Sequence, residues 1–199
     1  SRNVRRMATS GLLSFCCAWV CLLWPTSSQA LGSSKYDTEI KAAVEKWWPD
    51  LPAWRLWKAQ LIQESGLDPN ARSNVGAAGL AQFMPASWGD MVKALRFPDG
   101  VSPTEAKYAI EAGAYYQGKL RRSWKPEGRT TLQRHDLGLA SYNAGMGSIL
   151  KAQERCGGPR LWEEIAPCLD RVTGPENARQ TTDYVVKIRK WWQLQELGQ

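Results

Sequence analysis

From Asp37 onward apolar residues recur at three- and four-residue spacing and few stretches alternate, so the pattern predicts helices almost throughout and no strand. A first helix is expected from Asp37 to Trp48, closed by Pro49. Pro52 can open a second, running through Trp54, Trp57, Leu61 and Ile62 to Glu64, which therefore stands at a helix C-terminal end. Ser65 to Gly79 carries Gly66, Pro69, Asn70, Asn74, Gly76 and Gly79 and reads as a loop. Leu80 to Leu95 reads as helix with a break at Pro85. Ser102-Pro103-Thr104-Glu105 has the spacing of a capping box and predicts a helix to about Arg122. Further helices are expected at Leu132 to Asn143, Gly147 to Gln153, Leu161 to Ile165 and Glu176 to Leu194. No internal repeat or low-complexity linker breaks the chain, and 199 residues suit one domain with a proper core.

The first thirty residues follow a different pattern. Arg2, Arg5 and Arg6 precede an apolar run from Leu12 to Trp24, and Ser28-Gln29-Ala30 offers small residues to a peptidase. Residues 1–30 are therefore expected to be a secretory signal, or a membrane anchor if they stay attached. The run is shorter than the roughly 17–25 apolar residues of a spanning helix, which favours cleavage. Cys16, Cys17 and Cys21 lie in that run, which leaves Cys156 and Cys168 in the body. Their spacing fits no zinc pattern and the one histidine is His135, so neither a metal nor another cofactor is expected. A Cys156–Cys168 disulfide, formed in an oxidising compartment such as a periplasm, is the expectation instead.

The formal net charge is +7, of which three charges belong to the leading arginines. Lys119, Arg121, Arg122, Lys125, Arg129 and Arg134 form the densest basic cluster, suited to a polyanion or simply to a solvated helix face. The eleven tryptophans include Trp47, Trp48, Trp54 and Trp57 near the start and Trp191 with Trp192 near the end. Aromatic faces stack on sugars, but most buried tryptophans only fill a core.

Glu64 is the candidate with chemistry. A carboxyl at a helix end among Leu61, Ile62, Leu80, Phe83 and Met84 is poorly solvated, so burial disfavours its charged form and lets it hold a proton near neutrality. Such a group can act as a general acid. The plainer reading is a solvent-facing glutamate, and position alone favours that.

The neighbouring pattern changes the balance. Glu64-Ser65, then Pro69, Ala71, Ser73, Gly76-Ala77 and Gly79-Leu80 with Gln82, Met84 and Pro85, resemble the catalytic motif of the soluble lytic transglycosylases, which share a goose-type lysozyme fold. Ala140-Ser141-Tyr142-Asn143-Ala144-Gly145 is similar to the family's Tyr-Asn-Ala-Gly segment, and Thr181 with Tyr184-Val185 and Ile188 to its closing helix. The resemblance spans roughly residues 45 to 192 and implies a mostly α, lysozyme-like domain over 31–199 with an active-site cleft. It implies Glu64 as catalytic acid and base. Ser73, Gln82, Phe83, Met84, Tyr142, Asn143 and Tyr184 are the implied substrate-binding residues.

Two positions depart from the family pattern. Ala81 stands where the family usually has Met, which predicts a smaller cleft contact, and Gln180 stands where Glu usually precedes the threonine. The implied reaction needs one carboxyl only. A retaining or inverting glycosidase needs a second one at a set separation, and the nearest in sequence, Asp68 and Asp90, align with no catalytic position. Glu64 would protonate the glycosidic oxygen and then take the proton of the sugar's own C6 hydroxyl, closing a 1,6-anhydro ring on muramic acid.

The competing expectations are a hydrolytic goose-type lysozyme using Asp68, Asp90 or a placed water, and a non-catalytic wall-binding component of an envelope machine. Nucleic acid is not an expected partner, since weak binding would follow from charge alone. The expected partners are peptidoglycan strands and a secretion, conjugation or phage machinery, with membrane contact only through residues 1–30 if uncleaved. No serine-histidine elbow or phosphate-binding loop is present.

Overall fold

The computed structural model describes residues 27–198, so the predicted apolar run Leu12 to Trp24, the three leading arginines and Cys16, Cys17 and Cys21 lie outside the described residues. The helices are α1 (Ser27–Gly32), α2 (Asp37–Trp47), α3 (Trp54–Ser65), α4 (Pro85–Leu95), α5 (Ala106–Ser123), α6 (Thr131–Ala144), α7 (Met146–Arg155), α8 (Trp162–Ile165), α9 (Asp170–Thr173) and α10 (Pro175–Glu196), with a 3-10 turn at Ala166–Cys168. Among the described residues there is no strand, only two isolated bridges, Arg72 with Ala78 and Ala78 with Phe83. None of the helices is long and apolar enough to cross a membrane.

The long helices match the expected ones to within a few residues, and the differences have local causes. Pro85 opens α4 and does not break a longer helix: a proline costs nothing at a first-turn position, where its missing N–H has no partner to lose. Leu80 to Phe83 instead turn back on Ala78, whose N–H and that of Phe83 exchange hydrogen bonds with each other's carbonyls at 3.0 and 3.1 Å. The expected capping box at Ser102 forms only in half. Glu105 accepts from the Ser102 N–H at 2.9 Å, but the Ser102 hydroxyl accepts from Thr104, so these residues make a turn and α5 begins at Ala106. A complete box stands at α6, where the Thr130 hydroxyl and the Gln133 side chain each accept the other's backbone N–H.

α3 is the central helix. Every residue from Leu56 to Ser65 is buried, which is what an element enclosed on all sides requires. α10 and α2 pack along it, α6 packs on both α10 and α5, and α5 packs on α2. Trp48, Trp57, Leu61, Leu80, Phe83, Ile110, Leu137, Leu139 and Ile188 fill the space between them. Five of the nine described tryptophans, Trp48, Trp57, Trp88, Trp124 and Trp162, are buried in this core, and the Trp48 indole donates to the Ala114 carbonyl at 2.7 Å.

Two buried cations are paired. Lys58 reaches Asp37 at 2.8 Å, and Arg121 reaches Asp50 at 2.7 Å and lies over the Trp48 ring. Arg121 is therefore not part of a solvated basic face. Burial removes it from the expected cluster and leaves Lys119, Arg122 and Lys125 exposed. His135 is also internal, 3.2 Å from Arg121 and edge-on to Trp48, and burial with the neighbouring guanidinium holds its pKa well below the ordinary value. Cys156 and Cys168 are joined by a disulfide that ties the end of α7 to the 3-10 turn.

Candidate active site

Glu64 owes its position to the end of its helix. Gly66 takes the left-handed conformation at φ 60° and donates to the Ile62 carbonyl, which ends α3 at the Glu64-Ser65 pair. The carboxyl is buried. Burial pushes its pKa up to about 8, against the opposing effect of the Tyr184 hydroxyl that donates to Oε1 at 2.5 Å. The partial negative charge at a helix C-terminus acts in the same sense as burial. Among the described residues no second carboxylate, lysine or arginine contributes to the shift. The raised pKa favours the protonated carboxyl near neutral pH, with the Tyr184 hydroxyl at its Oε1.

Tyr184 comes from α10, 120 residues away, and is itself buried. The Gln60 amide, one helical turn before Glu64, donates to its hydroxyl at 3.1 Å. Beside this pair the Thr181 hydroxyl, one turn before Tyr184, donates to the Asn143 side-chain Oδ1 at 2.7 Å and so locks α6 to α10. Tyr142 turns the other way, donating to the Ala81 carbonyl at 2.7 Å. Its ring belongs to an aromatic group with Tyr116 and Phe83 at centroid distances of 5.4 and 6.5 Å.

The loop from Gly66 to Met84 is held by its own backbone. The Gly79 N–H reaches the Ala71 carbonyl, and the Gln82 amide donates to both the Ala71 and Gly79 carbonyls. Gln82 adopts φ 50°, a left-handed conformation uncommon for a side-chain-bearing residue. Gly79, at φ +81°, sits so close to the next segment that a Cβ would lie 1.8 Å from the Pro103 carbonyl oxygen. Only glycine fits there. The Ser73 hydroxyl accepts from the Ala77 N–H at 3.0 Å and closes the loop's tip.

The structure thus brings Glu64 and Tyr184 into direct contact and ties Asn143 to the same helix. Gln82 and Ser73 hold the loop by hydrogen bonds, Phe83 is buried in the aromatic group, and Met84 is half-buried at the start of α4. Ala81 is fully buried, its methyl facing Gly113, and its carbonyl takes the Tyr142 bond. The departure from the family pattern there changes packing, contrary to the expectation of a smaller cleft contact. Gln180 donates to Glu176 along α10 at 3.4 Å. Asp68 accepts from the Asn70 N–H, and Asp90 is exposed on α4. Gln60 was absent from the sequence expectations; its signal is a polar residue one turn before the glutamate on an otherwise apolar helix face.

Residues 52–164 match the model of the transglycosylase SLT domain. The chain is similar to the membrane-bound lytic murein transglycosylases F of Maricaulis maris, at 30% identity over 173 residues, 79% of this chain and 35% of that protein. With that of an Actinobacillus pleuropneumoniae strain it shares 32% identity over 168 residues, 77% of this chain and 33% of that protein. The chain spans about a third of the length of these curated relatives. Among solved structures it is similar to the 70 kDa soluble lytic transglycosylase of Escherichia coli, with a TM-score of 0.64 at 22% identity over 81% of this chain and 24% of that one. A complex of a 70-kDa soluble lytic transglycosylase with bulgecin A gives a TM-score of 0.65 at 22% identity, over 85% of this chain and 25% of that one. These likenesses establish a shared fold.

Proposed function

The chain belongs to the transglycosylase SLT family, and from that premise we propose that it cuts the β-1,4 bond between MurNAc and GlcNAc in peptidoglycan without water, leaving a 1,6-anhydro-MurNAc end. The observation that carries this reading is Glu64: a single buried carboxyl, protonated at pH 7, whose Oε1 is held by Tyr184. Its Oε2 hydrogen goes to the glycosidic oxygen, and the C1–O bond breaks as positive charge develops at C1 of the muramic sugar. The carboxylate so formed takes the hydrogen of the C6 hydroxyl, and O6 bonds to C1. The proton given is replaced by the proton taken, so the acid is restored in one cycle. Tyr184 supports the charged intermediate form by donating to the carboxylate.

Burial matches the acid step, because the group must hold its proton until the sugar arrives, and the raised pKa keeps it loaded up to about pH 8. Ser73, Gln82, Phe83, Met84, Tyr142 and Asn143 shape the wall in which the glycan lies: the loop from Gly66 to Met84 on one side and the α6–α10 seam on the other. Activity is expected to fall as pH rises through about 8, since the acid form is then lost.

Digestion of purified murein followed by fragment mass measurement tests the reading. Anhydro ends are expected, and Glu64→Gln should abolish them. Fragments heavier by one water, with reducing ends, would mean a hydrolase instead. We further propose export, with residues 1–30 as leader or tether and 31–199 as the catalytic domain acting in the periplasm on local wall opening for a secretion, conjugation or phage apparatus. Mass measurement of the mature N-terminus checks the leader, and wall-exposed protein that still carries residues 1–30 would favour the tether.

A further inference from the structure

Behind the Glu64–Tyr184 contact runs a chain of buried polar groups that core packing does not require. Gln117 on α5 and Gln60 on α3 are both fully buried. The Gln60 Nε2 donates to the Tyr184 hydroxyl at 3.1 Å and lies 3.4 Å from the Gln117 Oε1, which takes its other hydrogen. The Gln60 Oε1 and the Gln117 Nε2 have no hydrogen-bond partner. A buried amide with an unmet polar atom costs stability, and an apolar pair of the same shape would pack there without that cost. Gly138 makes room for it: a Cβ at that position on α6 would lie 2.8 Å from the Gln117 Nε2.

We propose that Gln60 is a positioning residue for the reaction, acting through Tyr184 to decide which oxygen of Glu64 carries the transferable proton. This rests on the lytic reading of the site. A phenol hydroxyl has one hydrogen. The Gln60 N–H is directed at the Tyr184 oxygen, and the hydroxyl hydrogen goes to Glu64 Oε1. Oε1 is thus an acceptor in both protonation states, and the acid proton is confined to Oε2, the oxygen left for the sugar. Reversing the Gln60 amide would reverse every bond in the chain. Tyr184 would donate to Gln60, and Glu64 would hold its proton on Oε1, turned inward against the phenol. Gln117 as placed opposes that reversal, because unless its own amide turned too, two carbonyl oxygens would face each other.

The groups facing this chain are Tyr184 from α10, Gln117 from α5 and Glu64 on α3 itself. Beyond Gln117 stand Arg121, paired with Asp50, and His135, which is neutral. None of these last three contributes to the Glu64 shift.

The test is Gln60→Met, which keeps length and volume while removing the donor. Without it the neutral carboxyl gains a second arrangement and the carboxylate loses a polarised partner. Both effects move the alkaline limb of the kcat profile to higher pH, by about half a pH unit or more. The value of kcat should fall by roughly tenfold, a fraction of the roughly 10²–10⁴ that general acid catalysis supplies, while KM and the melting temperature hold or the latter rises. A purely structural role would lower the melting temperature and leave the limb in place, and that result overturns the proposal.

Gln117→Met should move the limb in the same direction by less, and it decides the question if Gln60→Met does not fold. NMR titration of the Glu64 carboxyl carbon in wild type and variant separates this inference from the reading beneath it. A pKa that rises in the variant supports the relay even if no anhydro product is found. An unmoved pKa beside normal anhydro chemistry in the wild type sinks the relay alone.

Discussion

At the scale of one residue, Glu64, the proposed acid, would couple chemistry to stability. Its ordinary pKa is 4.5 and burial raises it to about 8 in the folded protein, so folding favours the neutral form. The linkage has a definite sign: the stability is fully present below about pH 4.5 and is lost as pH rises through about 8. Glu64→Gln keeps the shape and removes the titration. The variant should therefore be more stable than the wild type at pH 7, by an amount on the order of 3 kcal/mol, and the gap should close near pH 4. Denaturant melts of both proteins across that range measure it, and a gap constant with pH would show that the buried acid is not its source. The same side chain was legible in the sequence because its helix, its apolar neighbours and the motif around it agree. Gln60 was not legible in that way: a lone glutamine one turn before the acid has no meaning until α10 brings Tyr184 to it from 120 residues away.

At the scale of elements, the long helices were readable from apolar spacing because each buries a face against at least one neighbour, and that need sets the period. What local pattern did not resolve was competition for the same donor or acceptor. Ser102 to Glu105 has the letters of a capping box, yet the serine hydroxyl is taken by Thr104 and the helix starts later. Leu80 to Met84 has apolar residues enough for a helix, yet Gly79 at φ +81° and the exchange between Ala78 and Phe83 fold it back. The short turns α1, α9 and 166–168 carry too few residues for a period to show.

The loop's dependence on Gly79 gives a prediction at this scale. Gly79→Ala meets both a disfavoured φ and the Pro103 carbonyl, so it should destabilise the protein by about 2–4 kcal/mol. The loss should be larger than for Gly76→Ala, whose Cβ enters open space at φ +95°. Comparison of the two melting curves checks this, and equal losses would mean that the loop does not depend on its contact with Pro103.

At the scale of the whole molecule, the site is a long-range assembly. α3 supplies the proposed acid Glu64, α6 supplies Asn143, and α10 closes on both through Tyr184 and Thr181. The chain between α6 and α10 makes an excursion through α7, α8 and α9, and the Cys156–Cys168 disulfide, spanning 12 residues, staples it. Such a loop closure stabilises mainly by restricting the unfolded chain, by about 2–3 kcal/mol for this length. Reduction, or a Cys156→Ala/Cys168→Ala variant, should accordingly lower the melting temperature by roughly 5–10 °C for a body of this size.

The staple touches none of the groups that hold the Glu64 proton. Below the melting range the reduced enzyme should therefore give the same products and the same alkaline limb as the oxidised one. If reduction moved that limb, the excursion would be holding α10 in register against α3, and the closing helix would owe its place to the disulfide as well as to its own packing.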